Sequence, residues 1–165
     1  MDESMTPRHD PRALRDAFGA FMTGVTIVTA EHEGAPAGLT ANSFTSVSLD
    51  PPLLLVCVSK RSVSLAAIRA SGGFAVNILE ESQRDLSNRF ARPTEDRYEG
   101  VEWRRGPSGS PILNGVCGWF DCRLREEVSA GDHVILLGRV EAFDHVGGVP
   151  LGYAKGGYFS LDKSI

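Results

Sequence analysis

From Val25 onward the chain is written in short β-branched or alternating runs cut by glycine and proline: Val25–Thr29, Thr45–Leu49, Leu53–Val58 and Phe74–Leu79. Runs of this length and composition suit a pleated, half-buried surface and read as strands. The pattern is plainest where Val116, Gly118, Phe120, Cys122 and Leu124 alternate with Cys117, Trp119, Asp121, Arg123 and Arg125, giving one apolar face and one mixed face. A second long strand, Val134–Phe143, follows the turn Gly131-Asp132-His133. Mostly antiparallel strands must avoid open edges, so a closed or nearly closed barrel is the expected architecture.

Helices are inserted between the strands. Asp10 can cap a helix with Pro11 at its first position, and Leu14, Ala17, Phe18, Phe21 and Met22 then share one face until Gly24. That apolar face predicts packing against another element. A second helix runs from Ser62 to about Ala70 and stops at Gly72-Gly73; a third runs from Ser82 to about Ala91, with Ser82 and Asp85 as a capping box and Pro93 barring extension. The stretch Arg104–Asn114, rich in glycine, serine and proline, reads as a long surface loop.

At 165 residues the chain fits one domain, expected over residues 10–165, with residues 1–9 as a loose polar tail. The 17 basic and 21 acidic side chains leave a net charge of −4, with no broad positive field for nucleic acid or an anionic membrane. The polar N-terminus has no signal-peptide core and no later run is long enough to span a bilayer, which predicts a cytoplasmic protein. Cys57, Cys117 and Cys122 are an odd set without paired metal-ligand spacing, and read as reduced thiols with no metal site. There is no Gly-x-Gly-x-x-Gly after a strand, no P-loop and no hydrolase nucleophile elbow.

The chemistry concentrates between Gly38 and Ser64. Thr40, Ala41, Asn42 and Ser43 combine small side chains, over which a planar ring can approach the backbone, with hydroxyl and amide groups for ring oxygens and nitrogens. The same residues are also common at an ordinary polar hairpin or strand end. Ser59, Lys60, Arg61 and Ser62 immediately precede the second helix, whose first N–H groups and dipole favour an anion by roughly 1 kcal/mol. Read alone, Ser62 is a plain N-cap and the two cations a solvated turn. Phe90 reads as core, Arg89 as a charge at a helix C-terminus, and His133 as a turn histidine.

In their order and spacing these segments, with Phe74-Ala75-Val76-Asn77, Arg89-Phe90-Ala91 and Gly131-Asp132-His133, resemble the flavin reductase-like family over nearly the whole chain from about Arg15. The resemblance implies a mainly β, FMN-binding type split β-barrel with Greek-key connections, a few inserted helices and a homodimeric assembly. It implies reduction of FMN or FAD by hydride from NADH or NADPH, with reduced flavin supplied to a partner monooxygenase. Such chemistry needs stacking and positioning rather than a protein nucleophile. By the same resemblance Thr40, Ala41, Asn42 and Ser43 line the flavin ring, and Cys57, Val58, Ser59, Lys60, Ser62 and Ser64 form the phosphate segment. Arg89 reaches the phosphate, Phe90 borders the ring, and His133 lies at the nicotinamide, with Asp132 placed to orient it. A non-catalytic flavin carrier or sensor on the same barrel is the alternative, against which the Gly-Asp-His turn argues. Gly152 stands where similar proteins usually carry an apolar residue, which predicts a loosened last strand and leaves Tyr158 equally structural or ligand-facing.

Overall fold

The computed structural model describes residues 10–161. The expected tail at residues 1–9 lies outside them. Helix α1 (Pro11–Gly19) leads into β1 (Thr23–Gly24), β2 (Thr26–His32), β3 (Ala35–Ala41), β4 (Phe44–Leu49) and β5 (Pro52–Ser59). Helix α2 (Val63–Ser71), β6 (Gly73–Ile78), a short 3-10 turn (Glu81–Gln83) and α3 (Arg84–Ala91) follow. The chain closes with β7 (Trp103–Arg105), β8 (Pro111–Leu113), β9 (Gly118–Ala130), β10 (His133–His145), β11 (Leu151–Ala154) and β12 (Gly157–Ser160).

Seven strands form one antiparallel sheet in the order β3-β2-β6-β9-β10-β5-β4. Its two edge strands, β3 and β4, are consecutive in sequence and joined only by Asn42 and Ser43. Three Cα steps span at most about 11 Å. Opposite edges of a wide sheet can be that close only if the sheet curls, so it rolls into a barrel that is split between β3 and β4. The closed or nearly closed barrel read from the strand pattern is therefore present in its open form.

Two cores flank the sheet. Inside the barrel, Val28 of β2, Leu54, Val56 and Val58 of β5, Phe74 and Val76 of β6, and Val134 and Leu136 of β10 pack with Leu65 and Ile68 of α2. A nine-residue helix is marginal alone. Burying Leu65 and Ile68, each worth about 1.5–3 kcal/mol, is what fixes α2 on the barrel. On the outer side of β2, β6 and β9 a second core gathers Ile27, Ala75, Trp119, Phe90, Ile112 and Leu113. Strands β2, β6 and the first part of β9 (residues 118–122) are thus covered on both faces, which corrects the reading of β9: Trp119 and Asp121 on its mixed face are buried.

The cover is the stretch read as a surface loop. Its β7–β8 hairpin carries Pro111, Ile112 and Leu113 into the second core. Buried Asn77 clamps it there: its amide donates to Ile27 O at 3.1 Å and its Oδ1 accepts from Leu113 N at 2.8 Å. Asp121, with no exposed surface, accepts from Ser108 N at 2.7 Å and from the Ser108 hydroxyl at 2.6 Å. The stretch keeps an exposed side at Arg104, Arg105 and Pro107, while residues 110–113 are buried against the sheet.

Helix ends follow local caps. Asp10 caps α1 by accepting from Arg12 N at 3.0 Å, but the helix stops at Gly19, whose carbonyl accepts from Lys155 N at 2.7 Å. Gly24, expected as the stop, lies in β1, paired with Gly152 of β11. No residue of α1 is buried, so its apolar face is left uncovered among the described residues. Helix α2 has Ser62 as N-cap and Gly72, at φ 69°, as C-cap, as read. The capping box before α3 is Glu80–Gln83 rather than Ser82–Asp85, because the Glu80 carboxylate takes the Ser82 N–H at 2.8 Å and Gln83 Oε1 the Glu80 N–H at 3.0 Å. The last strands are firmly paired, and an added Cβ on Gly152 would lie 2.4 Å from the Phe159 ring. Gly152 is where the ring packs, so the expected loosening is absent.

Cys117 and Cys122 are buried, Cys57 is half-buried, and all three are free. Burial pushes the Cys122 thiol up to about 12. No helix among the described residues is long and apolar enough to cross a membrane.

Gly138 in β10 faces Phe74, and a Cβ there would lie 2.6 Å from the ring and 2.9 Å from Cys122 Cβ. Gly138→Ala should lower stability by about 1–3 kcal/mol through overpacking. Gly24→Ala, with nothing within 4 Å, should change it by less than about 0.5 kcal/mol. Urea denaturation of both variants measures the contrast; equal midpoints would contradict the packing described.

Candidate functional site

The split in the barrel and the start of α2 face one another across a run of three connected cavities. The first, about 190 Å³, is walled by Thr40, Asn42, Ser87, Ala91, Tyr153 and Tyr158. Through Thr40 and Ala91 it adjoins a second of about 550 Å³, whose far side is formed by Ser59, Arg61 and Ser62. Val63, Thr94, Glu95 and Arg97 are shared with a third, about 300 Å³, bounded by Pro36, Ala37, Gly38, Ser64 and Tyr98. Polar groups therefore lie along a groove rather than around a single pit.

Thr40 at the end of β3 is half-buried and donates to Ser87 O at 2.6 Å, tying β3 to α3. Ala41 is buried, whereas Asn42 is exposed and reaches the first cavity. The Ser43 hydroxyl donates to Cys57 O at 2.8 Å and accepts from Cys57 N at 3.2 Å, which bolts the β3–β4 link to β5. Two predicted segments, Thr40–Ser43 and Cys57–Ser64, are thereby joined. Val58 points into the barrel core with no exposed surface, so only its backbone can meet a ligand.

The turn after β5 divides its side chains. Lys60 leans away over the β9–β10 turn, its Nζ donating to Ser129 Oγ and Gly131 O, both at 2.7 Å. Arg61 lines the second cavity instead. Ser62 is half-buried there and its hydroxyl makes no capping bond. Ser64 is buried and donates to Gly38 O at 3.0 Å, so it lines the third cavity and steadies β3 against α2.

Phe90 is buried and walls the second cavity, lying edge-on to Tyr98 at 5.1 Å between centroids. Gly38 makes this possible: a Cβ there would lie 2.7 Å from the Phe90 ring. Arg89 turns outward and donates to Glu99 O at 2.6 Å, outside the lining of these cavities. A second guanidinium beside that of Arg61 in the groove is that of Arg97, which no sequence signal marks, because Thr94–Arg97 carries only the texture of a charged loop. Tyr158, ambiguous in sequence, serves both framework and cavity wall. Its hydroxyl lies 2.9 Å from Ser87 Oγ and donates to Asn88 Oδ1 at 3.0 Å, while its ring meets Tyr153.

His133 pairs with Ser59 across β10 and β5, and Lys60 N donates to Asp132 O at 3.0 Å, so the histidine turn abuts the turn before α2. Asp132 Oδ1 lies 2.7 Å from His133 Nδ1 and orients the ring; that bond holds the Asp132 carboxyl below its usual range. The ring is about half exposed. Cys57, bolted to Ser43, is two residues along β5 from Ser59, about 7 Å. Ser43 and His133 thus border the strand that brings Ser59 to the second cavity, neither of them lining the three cavities itself.

Hydroxyls that hold the fold and hydroxyls that face the groove should separate in stability. Ser43→Ala strips both backbone partners from Cys57 and should cost about 1–3 kcal/mol. Ser62→Ala should stay within about 0.5 kcal/mol, since its side chain supports nothing. Chemical denaturation of the two single variants gives the comparison, and a Ser62→Ala loss matching that of Ser43→Ala would reassign Ser62 to the framework.

The family described as flavin reductase like domain matches residues 18–162. A probable flavin reductase of Rhizobium meliloti is 59% identical over 152 residues, covering 92% of this chain and 49% of the relative. The reductase subunit HsaB of a flavin-dependent monooxygenase from Mycobacterium tuberculosis is 40% identical, covering 96% of this chain and 86% of the relative. The chain thus spans about half of one curated relative and most of the other. Among solved structures, the NADH:FAD oxidoreductase SgcE6 of Streptomyces globisporus, in complex with NAD and FAD fragments, superposes with a TM-score of 0.87 at 37% identity, covering 96% of this chain and all of that one. With the split barrel, the order of its motifs and these matches in agreement, the chain belongs to the flavin reductase-like family.

Proposed function

We propose that this chain reduces FMN or FAD with a nicotinamide nucleotide, NADH or NADPH, and supplies reduced flavin to a partner monooxygenase. The observation that carries the reading is the groove. It runs from small polar residues at Thr40 and Asn42 to an anion-favouring end at Ser59, Arg61, Ser62 and the start of α2. A flavin has the same polarity, a planar polar ring at one end and a phosphate ester at the other. The residues fit it: the Ser62 hydroxyl makes no capping bond and the first-turn N–H groups of a helix lack intrahelical partners. Relatives named as reductase subunits and as an NADH:FAD oxidoreductase support both substrate and partner class.

The flavin supplies the hydride-accepting ring. The chain's own residues bind and orient. Thr40, Ala41, Asn42 and Ser43 set the ring edge, with the Ser43–Cys57 bonds keeping that edge fixed relative to β5. Ser59, Arg61 and Ser62 with the first turn of α2 hold the phosphate, Val58 and Ser64 framing the turn from behind. Lys60 and Arg89, predicted to reach the phosphate segment, are engaged at Ser129 and Gly131 and at Glu99 instead, so the positive charge comes from Arg61, while Phe90 closes the groove wall. His133, kept in one orientation by Asp132, positions the nicotinamide from the adjoining turn. A carrier would have no use for such an oriented imidazole.

His133→Ala should slow flavin reduction or raise the KM for the nicotinamide nucleotide by about tenfold, about 1.4 kcal/mol, while flavin affinity stays within a few-fold. Stopped-flow reduction and a flavin titration on the same protein decide it. Unchanged reduction would remove His133 from the mechanism, and equal damage to both would move it into the flavin site. A wild-type protein that binds flavin but does not oxidise NADH or NADPH would establish the carrier reading.

The same reading includes a homodimer in the cytoplasm. Phe18, Phe21 and Met22 stand 71%, 77% and 59% exposed along and just beyond α1, an apolar edge that a second copy would cover. Light scattering should report twice the chain mass at micromolar concentration; a monomer would contradict it.

A further inference from the structure

Strands β9 and β10 are joined by a two-residue hairpin loop: Ala130 pairs with His133, and Gly131, at φ 61°, and Asp132 lie between them. Both loop carbonyls are taken by one residue of the neighbouring turn. Lys60 Nζ donates to Gly131 O at 2.7 Å, and Lys60 N donates to Asp132 O at 3.0 Å. The same Nζ donates to Ser129 Oγ at 2.7 Å, one residue before the closing pair. Resting on the role proposed above for His133, we infer that Lys60 is a positioning residue for that histidine, clamping its hairpin from the turn before α2 and so holding the imidazole where it meets the nicotinamide.

Without the clamp little fixes the ring. His133 directly follows the loop, and exposed hairpin tips are among the least stable parts of a fold. The side chain of its partner Asp132 is 94% exposed, and a charged pair in that setting adds little order of its own. Asp132 orients the imidazole through Nδ1 only while the main chain carrying both residues stays in place. The ladder to β5 secures His133 through Ser59, and β5 ends at that residue. Lys60, the next in sequence, extends the hold past the end of the ladder onto the loop itself. A lysine suits the task, since its long stem reaches across the turn and its ammonium has three donors, two of them used here.

The two cations of this turn serve different sites. Arg61 lines the second cavity, whereas Lys60 lines none of the three. One faces the groove and its neighbour the histidine hairpin. Loss of the Lys60 ammonium therefore loosens the nicotinamide side and leaves the phosphate side intact.

The test is stopped-flow reduction of bound FMN by NADH and by NADPH in wild type, Lys60→Met, Lys60→Arg, His133→Ala and the double variant Lys60→Met/His133→Ala, with FMN and riboflavin titrated into each protein. Lys60→Met should slow reduction or raise the nicotinamide KM by about three- to tenfold, with both flavin affinities within about twofold of wild type. Lys60→Arg, which keeps a charged donor on a long stem, should recover most of that loss. Added to His133→Ala, the Lys60→Met change should cost less than about twofold more, because the histidine it positions is gone. A loss of affinity for FMN but not for riboflavin would make Lys60 a phosphate ligand, and a full loss of rate in the His133→Ala background would give it a role independent of the histidine. Unchanged reduction in Lys60→Met beside a tenfold loss in His133→Ala would show that the hairpin needs no clamp. Each of these overturns the inference. If His133→Ala itself leaves reduction unchanged, the proposed role of His133 falls and the inference with it.

Discussion

The structure turns on the two residues between β3 and β4. Strands adjacent in sequence usually neighbour one another in a sheet; here they form its opposite edges, so the link must cross the gap where the barrel fails to close. The Ser43 hydroxyl spans that gap by pairing with both the N–H and the C=O of Cys57. Backbone groups at a broken edge need partners, and a side chain supplies them. A barrel sealed by main-chain ladders would have no opening there. Split in this way, it carries at the break a fixed row of small polar groups, and the groove begins at that row.

The second constraint is crowding on the outer face. Helix α3, the β7–β8 hairpin and β11 all lie against β2, β6 and the start of β9, which are buried there on both sides. Packing this close has little room for side chains at chosen points, which is why Gly38 lies under Phe90 and Gly152 under Phe159. Gly38 also places a bare carbonyl where Ser64 and Arg97 both donate to it. Barrel edge, the start of α2 and the loop after α3 thus meet at one oxygen.

Legibility in the sequence depends on how local each signal is. The alternation in β9 and β10, the Gly72 stop and the Asp10 cap are written in neighbouring residues and are readable. The burial of Trp119 and Asp121 is not, because it depends on a hairpin whose serines, glycines and prolines carry loop texture. The site divides in the same way. Thr40–Ser43, Ser59–Ser62 and His133 form a motif whose spacing survives in one dimension. That Lys60 leans toward Gly131, that Arg89 leaves for Glu99 and that Arg97 stands in the groove are facts of side-chain direction, set by acceptors distant in sequence.

Asp121 gives the buried hairpin an unusual response to acid. Burial raises its carboxyl above the ordinary range despite the two bonds from Ser108. A carboxyl shifted upward holds its proton more readily in the folded chain than in the unfolded one. Between its unfolded value and the raised one, its contribution therefore strengthens as pH falls and weakens as pH rises, opposite to that of ion-paired surface carboxylates such as Glu127. Once protonated, Asp121 can donate to the Ser108 hydroxyl while still accepting from Ser108 N, so the anchor changes its proton without changing its partner. The cover over β9 is fastened by a clasp that tightens as pH falls through that interval.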